Sequence, residues 1–315
     1  MTLNRKAPAT AVAAVAALAA VAAPHAHASQ DAAAASGTLL VMSTNSADFG
    51  HLYTMRPDGT GKKLLHAGRT SSAEVSPDGK SVAFAKGAGG NTDIYVMPMA
   101  GGTVRRLTSS GGSAPTWSPD GKRIAYGSPG ASPTTDTSDI WTVNAFGTPA
   151  PKRLTNVAAT LPGSGCDNGR FLSEPDYSPD GKTMVVTDWC DMSPAGNAKF
   201  RTLFVNPSTG ALGRMIRSMW SASFSPSGGH LIGVAQPGND PVKSSVIVRY
   251  TTAGAYMNTL TPHQAGNPRS TPEWSPDGSK VAFASQPAKL WSYTVNVNGT
   301  GMTAVGLDIR VLDWA

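Results

Sequence analysis

Cysteine is almost missing from this 315-residue chain. Only Cys166 and Cys190 occur, which excludes a disulfide-dense scaffold and a cysteine-rich zinc site. Histidine is scarce as well. The four beyond residue 28 (His51, His66, His230 and His263) are scattered without metal-ligand spacing. No Gly-x-Ser-x-Gly elbow, His-Glu-x-x-His pair or Gly-rich phosphate loop occurs, so the common signatures of hydrolases, zinc proteases and nucleotide-binding enzymes are absent. Charged residues make up 15% of the chain and no five basic residues run together. The formal net charge of +6 therefore reads as solvated surface and not as a nucleic-acid footprint. Apolar runs long enough to span a bilayer are missing, and so is helical spacing of apolar positions.

The first 28 residues have their own character. Arg5 and Lys6 precede a run from Ala9 to Ala23 of Ala, Val, Leu and one Thr, followed by Ala26-His27-Ala28. This is the pattern of a secretory signal peptide over residues 1–28, cleaved near Ala28. No cysteine sits at that junction, so a lipoprotein anchor is not indicated. A short Ala-rich linker (29–37) follows, and residues 38–315 form one domain. Removing the signal lowers the formal charge to +4. The mature chain is expected to be secreted or held in the cell envelope, without a membrane span and as a monomer.

What the chain does have is a repeat. Ser76-Pro77-Asp78-Gly79 returns at Ser118-Pro119-Asp120-Gly121, Ser178-Pro179-Asp180-Gly181, Ser275-Pro276-Asp277-Gly278 and, as a variant, Ser225-Pro226-Ser227-Gly228. Their starts lie 42, 60, 47 and 50 residues apart, the length of one four-stranded blade or one large helical unit. The contents decide for the blade. Proline fixes φ, aspartate caps its own turn and glycine supplies φ > 0, which together make a tight reversal. A large apolar residue precedes each turn (Val75, Trp117, Tyr177, Phe224, Trp274), and alternating apolar pairs such as Val82/Phe84 and Ile124/Tyr126 follow it. A third strand contains Ile94-Tyr95 or Ile140-Trp141, and a short basic fourth contains Arg105-Arg106-Leu107-Thr108 or Lys152-Arg153-Leu154-Thr155.

The ends fit each other. Residues 38–42, Leu52-Tyr53 and Lys63-Leu64-Leu65 read as the second, third and fourth strands of a unit lacking its first, and Val311-Leu312-Asp313-Trp314 reads as a first strand lacking its turn. Pairing the two predicts an all-β, six-bladed β-propeller closed by the C-terminal strand on the N-terminal blade. With these five turns and the strand pattern around them, residues 38–314 resemble the six-bladed propellers of the TolB type, built from WD40-like (PD40) repeats. Such propellers serve as interaction platforms, as gating domains of peptidases and, less often, as enzymes, so the resemblance carries fold more than function.

Cys166 and Cys190 flank the hairpin that turns at residues 178–181, so both reach its open end. In an oxidising compartment a disulfide is expected there, two free buried thiols being the alternative. The long connections, residues 129–138, 156–172 and 189–199, all fall on one face of the propeller. Asp136, Asp167, Phe171, Asp188, Trp189 and Asp191 are therefore the candidate ligand-binding residues, with Asp139 and Phe200 nearby. A second constellation stands one residue before each large apolar position. Glu74, Asp176, Glu273 and Asp313 occupy it, with Thr116 and Ser223, so four carboxylates are expected at one level near the axis. They could hold Ca²⁺ or Mg²⁺, or accept hydrogen bonds from neighbouring blades. No catalytic residue and no other cofactor is expected.

The function these features point to is a scaffold that binds a protein or peptide through its long-loop face. The alternatives are an extracellular carbohydrate-active enzyme using acids among Asp167, Glu174, Asp188 and Asp191, or a glycan-binding module with Phe171, Trp189 or Trp220 exposed for stacking. Asn298-Gly299-Thr300 matches a glycosylation acceptor but reads better as a hairpin turn.

Overall fold

A computed structural model describes residues 37–88, 91–129, 137–160, 166, 169–191, 199–217, 219–235, 245–262, 267–268, 272–286 and 290–315. The signal-peptide and linker assignments lie outside these residues, apart from Gly37. Twenty-five strands and one 3-10 turn (Val157–Thr160) make up the regular structure among the described residues.

The first unit holds β1 (Leu39–Ser43), β2 (Leu52–Met55) and β3 (Lys63–His66). The second holds β4 (Thr70–Val75), β5 (Ser81–Ala88), β6 (Asn91–Pro98) and β7 (Arg105–Arg106). The third is β8 (Ser113–Trp117), β9 (Arg123–Pro129), β10 (Thr137–Asn144) and β11 (Lys152–Arg153). The fourth is β12 (Gly169–Tyr177), β13 (Met184–Asp191), β14 (Lys199–Val205) and β15 (Leu212–Arg217). The fifth is β16 (Met219–Phe224), β17 (His230–Ala235), β18 (Val246–Thr251) and β19 (Tyr256–Thr259). In the sixth, β20 (Asn267–Pro268) and β21 (Glu273–Trp274) both pair with β22 (Lys280–Gln286), which is followed by β23 (Trp291–Asn296) and β24 (Thr303–Leu307). The last strand, β25 (Ile309–Trp314), pairs antiparallel with β1 through Leu39↔Trp314 and Val41↔Val311 and supplies the first unit's missing inner strand. The chain is an all-β propeller closed as its two ends predict.

The repeated turn works through its serine and aspartate side chains. In the second unit, Ser76 Oγ donates to Asp78 Oδ1 at 2.6 Å and accepts from Ser81 N at 2.9 Å, while Lys80 N donates to the same Asp78 oxygen at 3.1 Å. Gly79 takes φ +70° and returns its N–H to Ser76 O at 2.8 Å. The same pattern recurs at Ser118, Ser178 and Ser275. In the variant turn Ser227 replaces the aspartate, and its hydroxyl meets Ser225 Oγ at 3.1 Å.

Third and fourth strands are also tied by side chains. The N–H groups of Ile94, Ile140 and Ile247 donate to the hydroxyls of Thr108, Thr155 and Thr261 at 2.9 to 3.0 Å. Asp139 is fully buried and accepts from Arg153, from Thr155 Oγ1 (2.7 Å) and from Val157 N (2.9 Å). Asp139 therefore secures the end of its own unit instead of facing the loops.

Units three and four are not separate sheets. The nine-residue β12 extends far enough for Arg170 and Phe171 to pair in parallel with Thr137 and Ser138 of β10, giving one eight-stranded sheet. Ser138 Oγ donates to Leu172 O at 3.0 Å and reinforces that seam. Between units, apolar faces pack as the alternation predicts, for example Val185 and Phe204 against Met219 and Phe224.

Candidate functional site

The inner strands β4, β8, β12 and β16 each carry a bulge ahead of their turn. The register shifts between Thr70 and Ser72, Ser113 and Thr116, Ser173 and Asp176, and Trp220 and Ser223. Ala114, Glu174 and Ser221 stand at equivalent places in this bulge, with φ of +47°, +50° and +48°. A bulge re-aims the residues that follow it. Here it brings the inner strands of the units around an axial cavity of about 240 Å³, lined by Glu74, Glu174, Asp176, Glu273, Arg310 and Asp313 among others.

Three carboxylates of that ring bridge to the next unit. Asp313 Oδ2 accepts from Val75 N at 2.7 Å, Glu74 Oε1 from Trp117 N at 3.0 Å, and Asp176 Oδ2 from Phe224 N at 2.6 Å. In each case the donor is the large apolar residue that precedes the next unit's turn. The indoles of Trp117 and Trp274 return bonds to Glu74 O (3.1 Å) and Ser223 O (3.2 Å) of the preceding unit. Of the two expectations for this ring, neighbour-blade hydrogen bonding is thus present in the structure. No three or more His, Cys, Asp or Glu residues among those described are placed to hold a metal ion.

Enclosure by surrounding strands raises Glu74, Asp176, Glu273 and Asp313. Burial pushes Asp176 up to about 7, with the Asp313 charge adding to it and the Phe224 N–H opposing it. Asp313 rises to about 6, again through burial and against the Val75 and Trp314 N–H groups. Burial followed by the Asp313 and Asp176 charges lifts Glu74 and Glu273 well above the usual carboxylate range. Arg310 is the one cation lining the cavity among the described residues; burial lowers it, while Glu174 and Glu273 hold it charged. Glu174 is fixed by Thr187 Oγ1 (2.8 Å) and Ser221 Oγ (2.6 Å). The sequence pattern singled out neither Arg310 nor Glu174 as channel residues. Glu174's only available signal was its place three residues before Tyr177, where other units have Ser72, Ala114 and Ser221.

At the long-loop end one expected ligand-binding residue, Asp188, is placed differently. Asp188 is fully buried. Arg170 grips it with two bonds of 2.9 Å, and Arg201 Nη2 adds a third at 2.8 Å. Its charge is therefore used internally, because two guanidiniums on adjacent strands close over it, and it is not presented to a ligand. Two residues on, Cys190 forms the expected disulfide with Cys166, with Cα atoms 5.1 Å apart. Phe171 and Trp189 are cross-strand partners with ring centroids 4.6 Å apart. Trp189 is opposite Phe200, whose ring lies 5.2 Å from Trp220 of the fifth unit. Phe200 is 41% exposed and the other three rings are half-buried. Asp136 and Asp167 lie outside the described residues, and of Asp191 only the backbone is described, paired with Gly169. The Asn298 turn behaves as a hairpin, with Gly299 at φ +83° and Asn298 Oδ1 accepting from Thr300 N at 3.0 Å.

Fold and axial ring together define a β-propeller. No family model matches the chain. An uncharacterised protein of Agrobacterium fabrum is 28% identical over 222 residues, which cover 66% of this chain and 67% of that protein. The Tol-Pal system protein TolB of Francisella tularensis subsp. mediasiatica is 27% identical over 221 residues, 69% of this chain and 46% of TolB. The crystal structure of TolB from Acinetobacter baumannii superposes with a TM-score of 0.67 at 20% identity, covering 87% of this chain and 63% of that one. The chain is a β-propeller similar to that of TolB, and it spans about half the length of the curated TolB relatives it matches.

Proposed function

We propose that the chain is an exported scaffold of the cell envelope that holds a protein or peptide partner on the long-loop end of units three to five. The observation that carries this reading is the aromatic file Phe171, Trp189, Phe200 and Trp220, which runs across neighbouring strands at that end. Its base is stiffened by the Cys166–Cys190 disulfide and the Arg170–Asp188–Arg201 clamp. Half-exposed aromatics on a rigid support supply contact area at low entropic cost, as at protein interfaces generally. The likeness to TolB, a protein named for the Tol-Pal system, supports a place in the envelope. Asp188, without exposed surface and enclosed by two arginines, is not placed to touch a glycoside, which removes one of the acids that reading needs.

The test is photocrosslinking in the producing cell, with the reactive residue placed at Phe200 and, for comparison, at Lys122 on the Pro-Asp-Gly face. A protein recovered from Phe200 alone, and reduced at least tenfold by Trp189→Ala, is the expected result. Recovery of the same protein equally from Lys122 would overturn the assigned face. Absence of any protein adduct, together with retention on a glycan array, would replace the scaffold reading by the glycan-binding one.

A further inference from the structure

Charge is sorted radially in this molecule. The axial cavity holds Glu74, Glu174, Asp176, Glu273 and Asp313, whereas the outermost strand of each unit carries no acid. The outer strands of the first four units (β3, β7, β11 and β15) instead carry seven lysines and arginines. Six of them are exposed: Lys63, Arg105, Arg106, Lys152, Arg214 and Arg217. The seventh, Arg153, is occupied by Asp139, and Arg106 is shared with Asp93.

Protection of a free sheet edge does not account for this. Outer strands of the fifth and sixth units have the same exposed edge and no charge at all, and they show Tyr256, Met257 and Leu307 to solvent. The basic strands also form a continuous arc. Arg105 Nη2 donates to Ala145 O of the third unit, and Gly210 of the fourth unit lies so close to Leu154 of the third that an added Cβ would come within 1.8 Å of its carbonyl oxygen. The outer edges of units two, three and four therefore run into one another, and Leu65 of the first unit and Val104 of the second pack against one apolar cluster.

We propose that this rim binds a linear phosphate polymer that curves around units one to four and reaches the aromatic end only at Arg217, the cross-strand partner of Arg201 beside Phe200. Two features favour that partner. Four of the six exposed cations are arginines, whose forked donors match phosphate oxygens. The arc also follows four of the six units, a convex path that a flexible chain can trace and that a flat bilayer touches only along a narrow tangent.

Long-chain inorganic polyphosphate is the probe. Six contacts at about 0.7 released counterions each predict that log Kd rises against log salt with a slope of roughly 4. Lys63→Glu, Lys152→Glu and Arg217→Glu together change residues that form no ion pair among the described residues. This triple variant should keep its Tm, bind at least tenfold more weakly and show a slope of about 2 or less. Lys80→Glu, Lys122→Glu and Lys182→Glu on the turn face alter net charge equally and should weaken binding less than threefold. Equal losses in the two variants would reduce the effect to net charge and overturn the proposal. So would binding to phosphatidylglycerol vesicles without binding to polyphosphate.

Discussion

Replacing Asp188 by alanine should be among the most damaging single changes in this chain. Its carboxylate has no exposed surface, and its partners Arg170 and Arg201 are 8% and 12% exposed, so the variant leaves two guanidiniums enclosed without their counter-charge. Breaking such a buried pair from one side costs about 3–5 kcal/mol. For a domain of this length that corresponds to a fall in Tm of roughly 6–15 °C. Lys182→Ala is the comparison, because its contact with Asp180 is 3.9 Å long between side chains 83% and 58% exposed; its loss should stay within about 0.5 kcal/mol. Urea unfolding measures both, read as a change of midpoint at constant m. Combining Arg170→Met, Asp188→Leu and Arg201→Met should recover most of the stability, since a buried ion cluster replaced as a whole no longer leaves charge unpaired. A loss below about 1 kcal/mol for Asp188→Ala, or a triple variant weaker than the single one, would refute the reasoning.

Stability should peak in mild acid. Acids of the axial ring have folded pKa values raised above their unfolded ones, so the native state binds protons more tightly and loses stability as pH rises from about 4 through the values near 6 and 7 of Asp313 and Asp176. Asp78, Asp180 and Asp277 act oppositely. Their serine partners depress them, so their contribution is present above the unfolded pKa and fades as pH falls through the lowered one. Thermal denaturation should show a higher Tm near pH 5.5 than at pH 8, and Asp176→Asn should flatten that decline; identical slopes in the two proteins would contradict the ring's role. Removing the disulfide by Cys166→Ala with Cys190→Ala should cost about 3 kcal/mol for its separation of 24 residues, measurable by urea unfolding under oxidising conditions. Deleting residues 309–315 takes away β25 and with it both the closing pair with β1 and the Asp313–Val75 bond. Calorimetry should then show loss of the cooperative transition, whereas an unchanged endotherm would mean that closure is dispensable.

Much of the architecture was written in short stretches of sequence, because its causes are local. Ser-Pro-Asp-Gly closes a turn through atoms no more than five residues apart, and alternation sets which face of a strand is buried. Closure was legible from the complementary ends, and the disulfide from two cysteines at the mouth of one hairpin. Chemistry at the sites was not legible in the same way. Glu74, Asp176 and Asp313 were placed at the axis by repeat position, but their partners lie 43, 48 and 238 residues away and exist only once the units are side by side. Glu174 joins them because a bulge redirects its side chain, a backbone feature that spacing does not encode, and Arg310 because the closing strand β25 carries it to the cavity. Asp188 read as a loop-face acid for the same reason. Its direction depended on Arg170 and Arg201 arriving from two other strands, and only the assembled sheet decides which charges turn inward to meet each other and which remain for a partner.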